Sequence, residues 1–171
     1  AISDVLWTPS PDADENLMRE GVPGERIDRV GNIMIDSYEM LRSRIEAQPG
    51  PSKFGLERGA YGVVTLHRPS NVDDRGTLTN LVSQLLSISM QLPLVFAVHP
   101  RTRKMLGEFG LWDSLQSARG LSLTEPLGYV EFMSLVSSAK AVITDSGGVQ
   151  EESTYLGIPC LTLRENTERP I

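Results

Sequence analysis

The chain has 171 residues, of which 40% are apolar and 22% are charged, and its formal net charge at pH 7 is −6. This length is enough to bury a substantial core, and the composition is ordinary for a globular domain. An acidic chain without a cluster of Lys and Arg argues against binding to nucleic acid or to an anionic membrane surface.

The first part of the chain predicts a strand, a helix, a second strand and a second helix. The strands are expected at residues 4–8 and 27–30. Between them, Ser10 and Pro11 are typical of the start of a helix, which Gly21 ends. Apolar residues recur at helical spacing from Ile33 onward. The stretch 48–60 is rich in proline and glycine and is expected to be a loop or linker.

From residue 61 onward, strands and helices alternate regularly. Short apolar runs predict strands at 61–66, 94–98, 121–123, 141–144 and 160–163. Helical patterns lie between them at 76–91, 102–109 and 131–138, and a short helix follows the glycines at 147–148. The stretch 67–73 is expected to be a polar loop. This alternation predicts an α/β fold, a Rossmann-like parallel sheet with helices on both faces.

The most informative stretch is TDSGGVQEE at residues 144–152, which lies between a strand and a helix. Ser146, Gly147 and Gly148 would present free backbone N–H groups at the start of that helix, where its dipole favours an anion such as phosphate. Glu151 and Glu152, one turn further on, are well placed to bind hydroxyl groups such as those of a ribose. The alternative interpretation is a plain strand–helix turn with an N-cap serine.

Other polar residues also follow predicted strands, where ligands bind in parallel sheets. His67 and Arg68 suggest a phosphate clamp, with His67 as a possible acid–base group near neutral pH. A helix cap explains His99 nearly as well as a ligand site does. Asp145 is expected to cap the glycine turn.

Two arginines near the end of the chain leave two interpretations open. Arg164 and Arg169 could clamp a diphosphate, or they could pair with Glu165 and Glu168 on a solvated loop.

These motifs together resemble the non-hydrolysing UDP-N-acetylglucosamine 2-epimerases. The matching stretches are TLHR at 65–68, HP at 99–100, DSGGVQEE at 145–152, GIP at 157–159 and RENTERP at 164–170. GNIMID at 31–36 resembles the element at the domain hinge of that family. The resemblance implies one domain of a GT-B arrangement, in which two Rossmann-like domains flank a cleft. Residues 1–31 would end the N-terminal domain, and 32–171 would form the UDP-binding C-terminal domain, truncated at its own C-terminus.

The resemblance also implies an activity, the interconversion of UDP-GlcNAc and UDP-ManNAc through elimination and re-addition of UDP. Ser146, Gly147 and Gly148 would then hold the diphosphate, and Glu152 the ribose hydroxyls. The segment 127–132 would contact the uracil through its backbone.

The remaining roles that the resemblance implies fall on histidines and arginines. His67 would be catalytic and would help UDP to depart. Arg68 and Arg169 would bind substrate, with Arg169 on the phosphates. Arg68 and His99 would lie near a site where some bacterial members bind a second, regulatory UDP-GlcNAc. The stretch HPRT at 99–102 departs from the commoner family pattern there.

The family's proton-transfer carboxylates belong to a first domain, of which only the end would be present. We therefore expect a piece of a longer, homodimeric enzyme that binds UDP but does not epimerise by itself. A hydrolysing relative that releases ManNAc, a GT-B glycosyltransferase module and a non-catalytic nucleotide-sugar sensor remain alternatives.

Several classes of site and location are disfavoured by the sequence. Cys160 is the only cysteine, which excludes an internal disulfide and fits a reducing cytoplasm. No apolar run approaches the length of a membrane span. No cluster of His, Asp and Glu has metal-ligand spacing, and no cofactor is expected.

Overall fold

The computed structural model of the chain describes residues 3–164, and the chain divides into two units, residues 1–40 and 41–171. The division falls within a helix, α2 (Ile33–Glu46). The boundary predicted between residues 31 and 32 stays a prediction. No helix within the described range is long and apolar enough to cross a bilayer.

The first unit contains a parallel strand pair joined through a helix. β1 (Leu6–Thr8) and β2 (Ile27–Arg29) pair in parallel, and α1 (Pro11–Arg19) lies between them in sequence. Pro11 occupies the first helical position, where the missing N–H costs nothing. The predicted strands and helix are all present, and each is slightly shorter than the sequence pattern indicated.

The second unit is built on a five-stranded sheet in which every strand is parallel to its neighbours. Its order is β5-β4-β3-β6-β7. The strands are β3 (Gly62–Thr65), β4 (Leu94–Ala97), β5 (Leu121–Thr124), β6 (Ala141–Thr144) and β7 (Cys160–Thr162). Parallel pairing requires crossover connections, and helices fill them.

Six helices connect or follow these strands. They are α3 (Pro69–Val72), α4 (Arg75–Ser89), α5 (Pro100–Glu108), α6 (Trp112–Gln116), α7 (Tyr129–Val136) and α8 (Gly147–Tyr155). Helices cover both faces of the sheet, as the sequence predicted. In the described part of the second unit, three short helical pieces were not predicted: α3 within the expected polar loop, α6, and a 3₁₀ helix at Gly50–Phe54.

The three central strands, β4, β3 and β6, are buried on both faces, and their side chains alternate between two packing layers. Val64, Phe96 and Ile143 belong to one apolar cluster, together with helical residues such as Leu78 and Leu106. The intervening strand residues Val63, Val95 and Val142 are also fully buried. Burying each such side chain stabilises the fold by about 1.5–3 kcal/mol. This rigid sheet supports the loops at its carboxyl edge.

Candidate functional site

Polar residues collect where the strand order of the sheet reverses. β3 and β6 are neighbours, although the chain visits β4 and β5 between them. A doubly wound sheet opens a crevice at such a point, outside the carboxyl ends of its strands. His67 and Arg68 follow β3 there, and Asp145 and Ser146 follow β6. Both groups therefore lie at the edge that the sequence predicted.

Asp145 joins the loop after β6 to the loop after β3. Its carboxylate is fully buried. It accepts hydrogen bonds from the backbone N–H groups of His67, at 3.0 Å, and of Arg68, at 2.9 Å. The expectation that Asp145 caps the glycine turn is therefore wrong. Strand pairing brings the residue after β3 next to the residue after β6, so the carboxylate points across the sheet rather than along its own chain.

His67 completes this contact with its side chain. Its Nδ1 atom lies 2.7 Å from Oδ1 of Asp145, and the imidazole remains 41% exposed. An ionised carboxylate has only acceptor atoms, so Nδ1 carries the hydrogen of this bond. The second ring nitrogen, Nε2, is then the one available to exchange a proton with a ligand.

Arg68 and Asn71 form further hydrogen bonds to Asp145 and its surroundings. The Nε atom of Arg68 donates to the main-chain carbonyl of Asp145 at 2.8 Å. The amide of Asn71 donates to the Asp145 carboxylate at 3.0 Å and to the carbonyl of Leu163 at 2.9 Å. Asn71 thus ties together the loops after β3, β6 and β7. Its position just after Pro69, in the first turn of α3, is the only sequence signal for this role.

The glycine turn forms the start of α8. Ser146 is the N-cap, and its Oγ accepts from the N–H of Val149 at 3.4 Å. The N–H of Ser146 donates to Oγ1 of Thr144 at 3.0 Å, so it is not free as the sequence had suggested. The N–H groups of Gly147 and Gly148 have no acceptor within residues 3–164. Two donors, rather than three, therefore remain at this helix end, where the dipole is positive.

Glu152 is the buried acid of α8. It is only 3% exposed, and Tyr129 donates its hydroxyl hydrogen to Oε1 at 2.8 Å. Burial raises the pKa of Glu152 above its usual value, the hydrogen bond from Tyr129 partly opposes this, and the nearby charge of Glu151 adds to the rise. Sequence reasoning missed Tyr129 as a partner, because the contact joins two helices, α7 and α8, that are separated in the chain by β6.

His99 caps α5 and also lies near His67. Its Nδ1 accepts from the N–H of Arg101 at 3.2 Å, so its ring hydrogen is on Nε2. The centroids of the two histidine rings are 5.8 Å apart. The cap explains why α5 begins at Pro100, two residues before the predicted start. Arg101 forms a two-point ion pair with Asp73, including an Nε contact of 2.8 Å.

The remaining predicted residues are at the end of the chain. Arg169, Glu165 and Glu168 lie outside the described residues, whereas Arg164 is partly buried just after β7. Within residues 3–164, no group of three or more His, Cys, Asp or Glu side chains could hold a metal ion.

Comparison with known proteins points to one family. The family model described as UDP-N-acetylglucosamine 2-epimerase matches residues 1–171. A UDP-N-acetylglucosamine 2-epimerase of Methanococcus maripaludis is 40% identical over 99% of this chain and 48% of the relative. A UDP-2,3-diacetamido-2,3-dideoxy-D-glucuronate 2-epimerase of Pseudomonas aeruginosa is 37% identical over 98% of this chain and 45% of the relative. The chain thus spans about half the length of these curated relatives.

A solved structure extends the agreement to three dimensions. The UDP-GlcNAc 2-epimerase of Methanocaldococcus jannaschii, in complex with UDP-GlcNAc and UDP, superposes with a TM-score of 0.87. It is 40% identical, and the match covers 99% of this chain and 48% of that one. Sequence and fold agree over the whole match, and the chain belongs to the UDP-N-acetylglucosamine 2-epimerase family.

Proposed function

We propose that this chain supplies the UDP-binding half of an enzyme that interconverts UDP-GlcNAc and UDP-ManNAc at C2. The observation that carries the proposal is the pair of N–H donors of Gly147 and Gly148 at the reversal point of the sheet. A diphosphate fits there because backbone donors and the helix dipole both favour an anion. The complex of the M. jannaschii relative with UDP-GlcNAc and UDP supports the same ligand class.

The other site residues take roles around that diphosphate. Glu152, buried one turn into α8, accepts from the ribose hydroxyls. Arg68 neutralises phosphate charge from the loop after β3, and Arg169 does so from the end of the chain. Ser146 holds the start of α8 in place through its cap. His99, whose ring lies near that of His67, contributes to binding of a second, regulatory nucleotide sugar.

The chemistry divides between this chain and the remainder of the protein. UDP departs when the bond between C1 and the β-phosphate oxygen breaks, and that oxygen receives a proton from Nε2 of His67. A base outside this chain removes the C2 proton, so the intermediate is a glycal. In the return direction, C2 receives a proton on its other face. The β-phosphate oxygen of UDP then bonds to C1 again and gives its proton back to Nε2 of His67. The whole protein then has the two-domain GT-B arrangement, works as a cytoplasmic homodimer and supplies precursors of surface polysaccharide.

The binding part of the proposal is tested at Gly147. Gly147 is the first residue of α8, and Ser146 before it has extended backbone dihedrals, φ −88° and ψ 125°. Proline is tolerated at the first position of a helix and after a residue with extended backbone dihedrals. Gly147→Pro therefore fits this position and removes one N–H donor. Gly147→Ala is the matched control, because it keeps the N–H. Calorimetry with UDP should show about tenfold or greater weakening in the proline variant relative to the alanine variant. Equal affinities in the two variants would overturn the anion site.

The reaction is tested with the protein at its full natural length. Proton NMR of a mixture with UDP-GlcNAc should show UDP-ManNAc accumulating to an equilibrium. Release of free ManNAc and UDP would identify the hydrolysing reaction instead, and binding without turnover would identify a sensor. The P. aeruginosa relative favours one further candidate, a UDP-linked diacetamido uronic acid, so that substrate is assayed in parallel.

A further inference from the structure

We propose that Asp145 is the positioning residue for His67, and that it confines the ring hydrogen to Nδ1 so that Nε2 is the nitrogen that exchanges protons with the departing UDP. This inference rests on the proposed function for its catalytic consequence. Its structural content, the tautomer of His67, stands on the contacts around Asp145 alone.

The carboxylate of Asp145 is surrounded by hydrogen-bond donors. Within the described part of the chain, the polar groups that contact its carboxylate are donors: two backbone N–H groups, the amide of Asn71 and the ring of His67. The carboxylate is fully buried, so water does not compete for these bonds. Several hydrogen bonds to one buried carboxylate fix its orientation. The ring of His67, which contacts that carboxylate, is therefore oriented as well.

Both oxygens of Asp145 are hydrogen-bonded, and Oδ1 is the one that contacts the ring of His67. Oδ2 accepts from the N–H groups of His67 and Arg68 and from the amide of Asn71, and Oδ1 accepts a longer bond of 3.2 Å from the same N–H of His67. Oδ1 lies 2.7 Å from Nδ1 of His67. In free imidazole either nitrogen can carry the hydrogen, whereas here, among residues 3–164, the acceptor that contacts the ring lies beside Nδ1. The backbone and amide donors thus hold the carboxylate in the position from which Oδ1 contacts the ring of His67.

The proton balance follows from this tautomer. When the ring is charged, both nitrogens carry hydrogen, and Nε2 can give its proton to the β-phosphate oxygen as the C1–O bond breaks. The ring is left neutral, with its hydrogen on Nδ1 and an open lone pair on Nε2. That lone pair takes the proton back when UDP re-adds. Without Asp145, a fraction of the molecules would have a neutral His67 with its hydrogen on Nε2. In those molecules Nε2 could not accept the proton that UDP returns.

His99 provides a control within the same molecule. Its Nδ1 accepts from the N–H of Arg101, so its hydrogen lies on Nε2, the opposite tautomer. The 171-residue chain has two histidines, His67 and His99, which makes a spectroscopic comparison within it simple.

The first experiment reads the tautomers directly. Nitrogen-15 NMR of the histidine rings, at about pH 8 where an ordinary imidazole is neutral, distinguishes a protonated ring nitrogen from a bare one. His67 should show hydrogen on Nδ1, and His99 should show it on Nε2. A His67 ring with hydrogen on Nε2, or a mixture of both forms, would overturn the proposal without any variant.

The second experiment uses Asp145→Asn, with the exposed Asp113→Asn as its matched control. The asparagine oxygen can keep the bonds from Arg68 and Asn71, while its NH₂ group faces Nδ1 and donates to it. The hydrogen of His67 should therefore move to Nε2 in this variant and stay on Nδ1 in the control. A His67 tautomer that does not change would show that Asp145 is only a structural link.

The catalytic consequence is read in the full-length protein. Asp145→Asn should lower kcat by about 10²–10⁴-fold and change KM by only a few fold, since the lost group acts on proton transfer. Added to His67→Gln, it should cause no further loss of kcat. An additive loss would overturn the positioning role. Absence of turnover in the unmodified enzyme would instead overturn the proposed function, and the NMR result would still decide the role of Asp145.

Discussion

Tyr129 holds Glu152 by a hydrogen bond of 2.8 Å that joins the first turn of α7 to the second turn of α8. The acid is buried and its pKa is raised, so the ionised form depends on donors that it meets there. The phenol supplies one donor from the protein, and the ribose hydroxyls would supply others.

We expect Tyr129→Phe to weaken UDP binding by about threefold to tenfold. The variant keeps the ring but removes the donor that orients the carboxylate, which costs about 1 kcal/mol or somewhat more. Calorimetric titration with UDP measures the change, and Tyr155→Phe, at an exposed tyrosine on α8, is the control. Unchanged affinity in Tyr129→Phe would show that Glu152 needs no help from the phenol.

Glu152→Gln should increase the thermal stability of the ligand-free protein at pH 7 while reducing its affinity for UDP. The folded protein holds the Glu152 proton more tightly than the unfolded chain does, because burial raises the pKa. The ionised carboxylate therefore destabilises the fold, and this effect grows as pH rises from the ordinary value of 4.5 through the folded pKa.

The measurement is the difference in Tm between Glu152→Gln and the unmodified protein over a pH series. The gap should be widest near pH 7 and should close below about pH 4.5. Glu151→Gln, a neighbouring change that is less buried, should show a much smaller gap. A constant difference at all pH values would contradict the electrostatic origin.

In the first unit, we expect Asp14→Asn to destabilise the β1–β2 pair. Asp14 is buried, and its carboxylate accepts from the Thr8 hydroxyl and from Nε of Arg29, the latter at 2.8 Å. The hydrogen bond from Thr8, followed by that from Arg29, lowers the pKa of Asp14. Its contribution to stability is therefore complete above the ordinary value of 3.8 and is lost as pH falls through the folded pKa.

Hydrogen exchange followed by mass spectrometry measures this local effect. Amides of 6–8 and 27–29 should exchange faster in Asp14→Asn at pH 7, and the unmodified protein should lose the same protection in acid. Asp12→Asn, on the exposed side of α1, should leave exchange unchanged. Equal protection in Asp14→Asn and the unmodified protein would show that the buried carboxylate contributes nothing.

We expect Gly120→Ala, which adds a single methyl group, to lower the free energy of unfolding of the second unit by about 1–3 kcal/mol or more. A Cβ atom there would lie 2.0 Å from the carbonyl oxygen of Ser89, so backbone would have to move. Gly24 is the control, since a Cβ at that position meets nothing within 4 Å. Urea unfolding should show a lower midpoint for Gly120→Ala and almost no change for Gly24→Ala. A small effect at Gly120 would mean that the start of β5 can shift freely.

The elements of the fold were predictable because their signals are local. Apolar runs marked all five strands of the sheet, and glycine and proline marked most of their ends. The short helices α3 and α6 were missed, since four or five residues contain too little periodicity to recognise. The glycine turn and the two histidines were also visible, because each directly follows a strand.

The sequence by itself determined which chemical groups stand at the ends of strands, and that the fold is a parallel α/β sheet of this family. Only the tertiary structure decided which of those groups meet. His67 and Asp145 are 78 positions apart in the chain, and they touch because β3 pairs with β6 on one side while it pairs with β4 on the other. Strand order is set by packing across the whole sheet, so local patterns could not show that Asp145 faces His67 instead of capping its own turn.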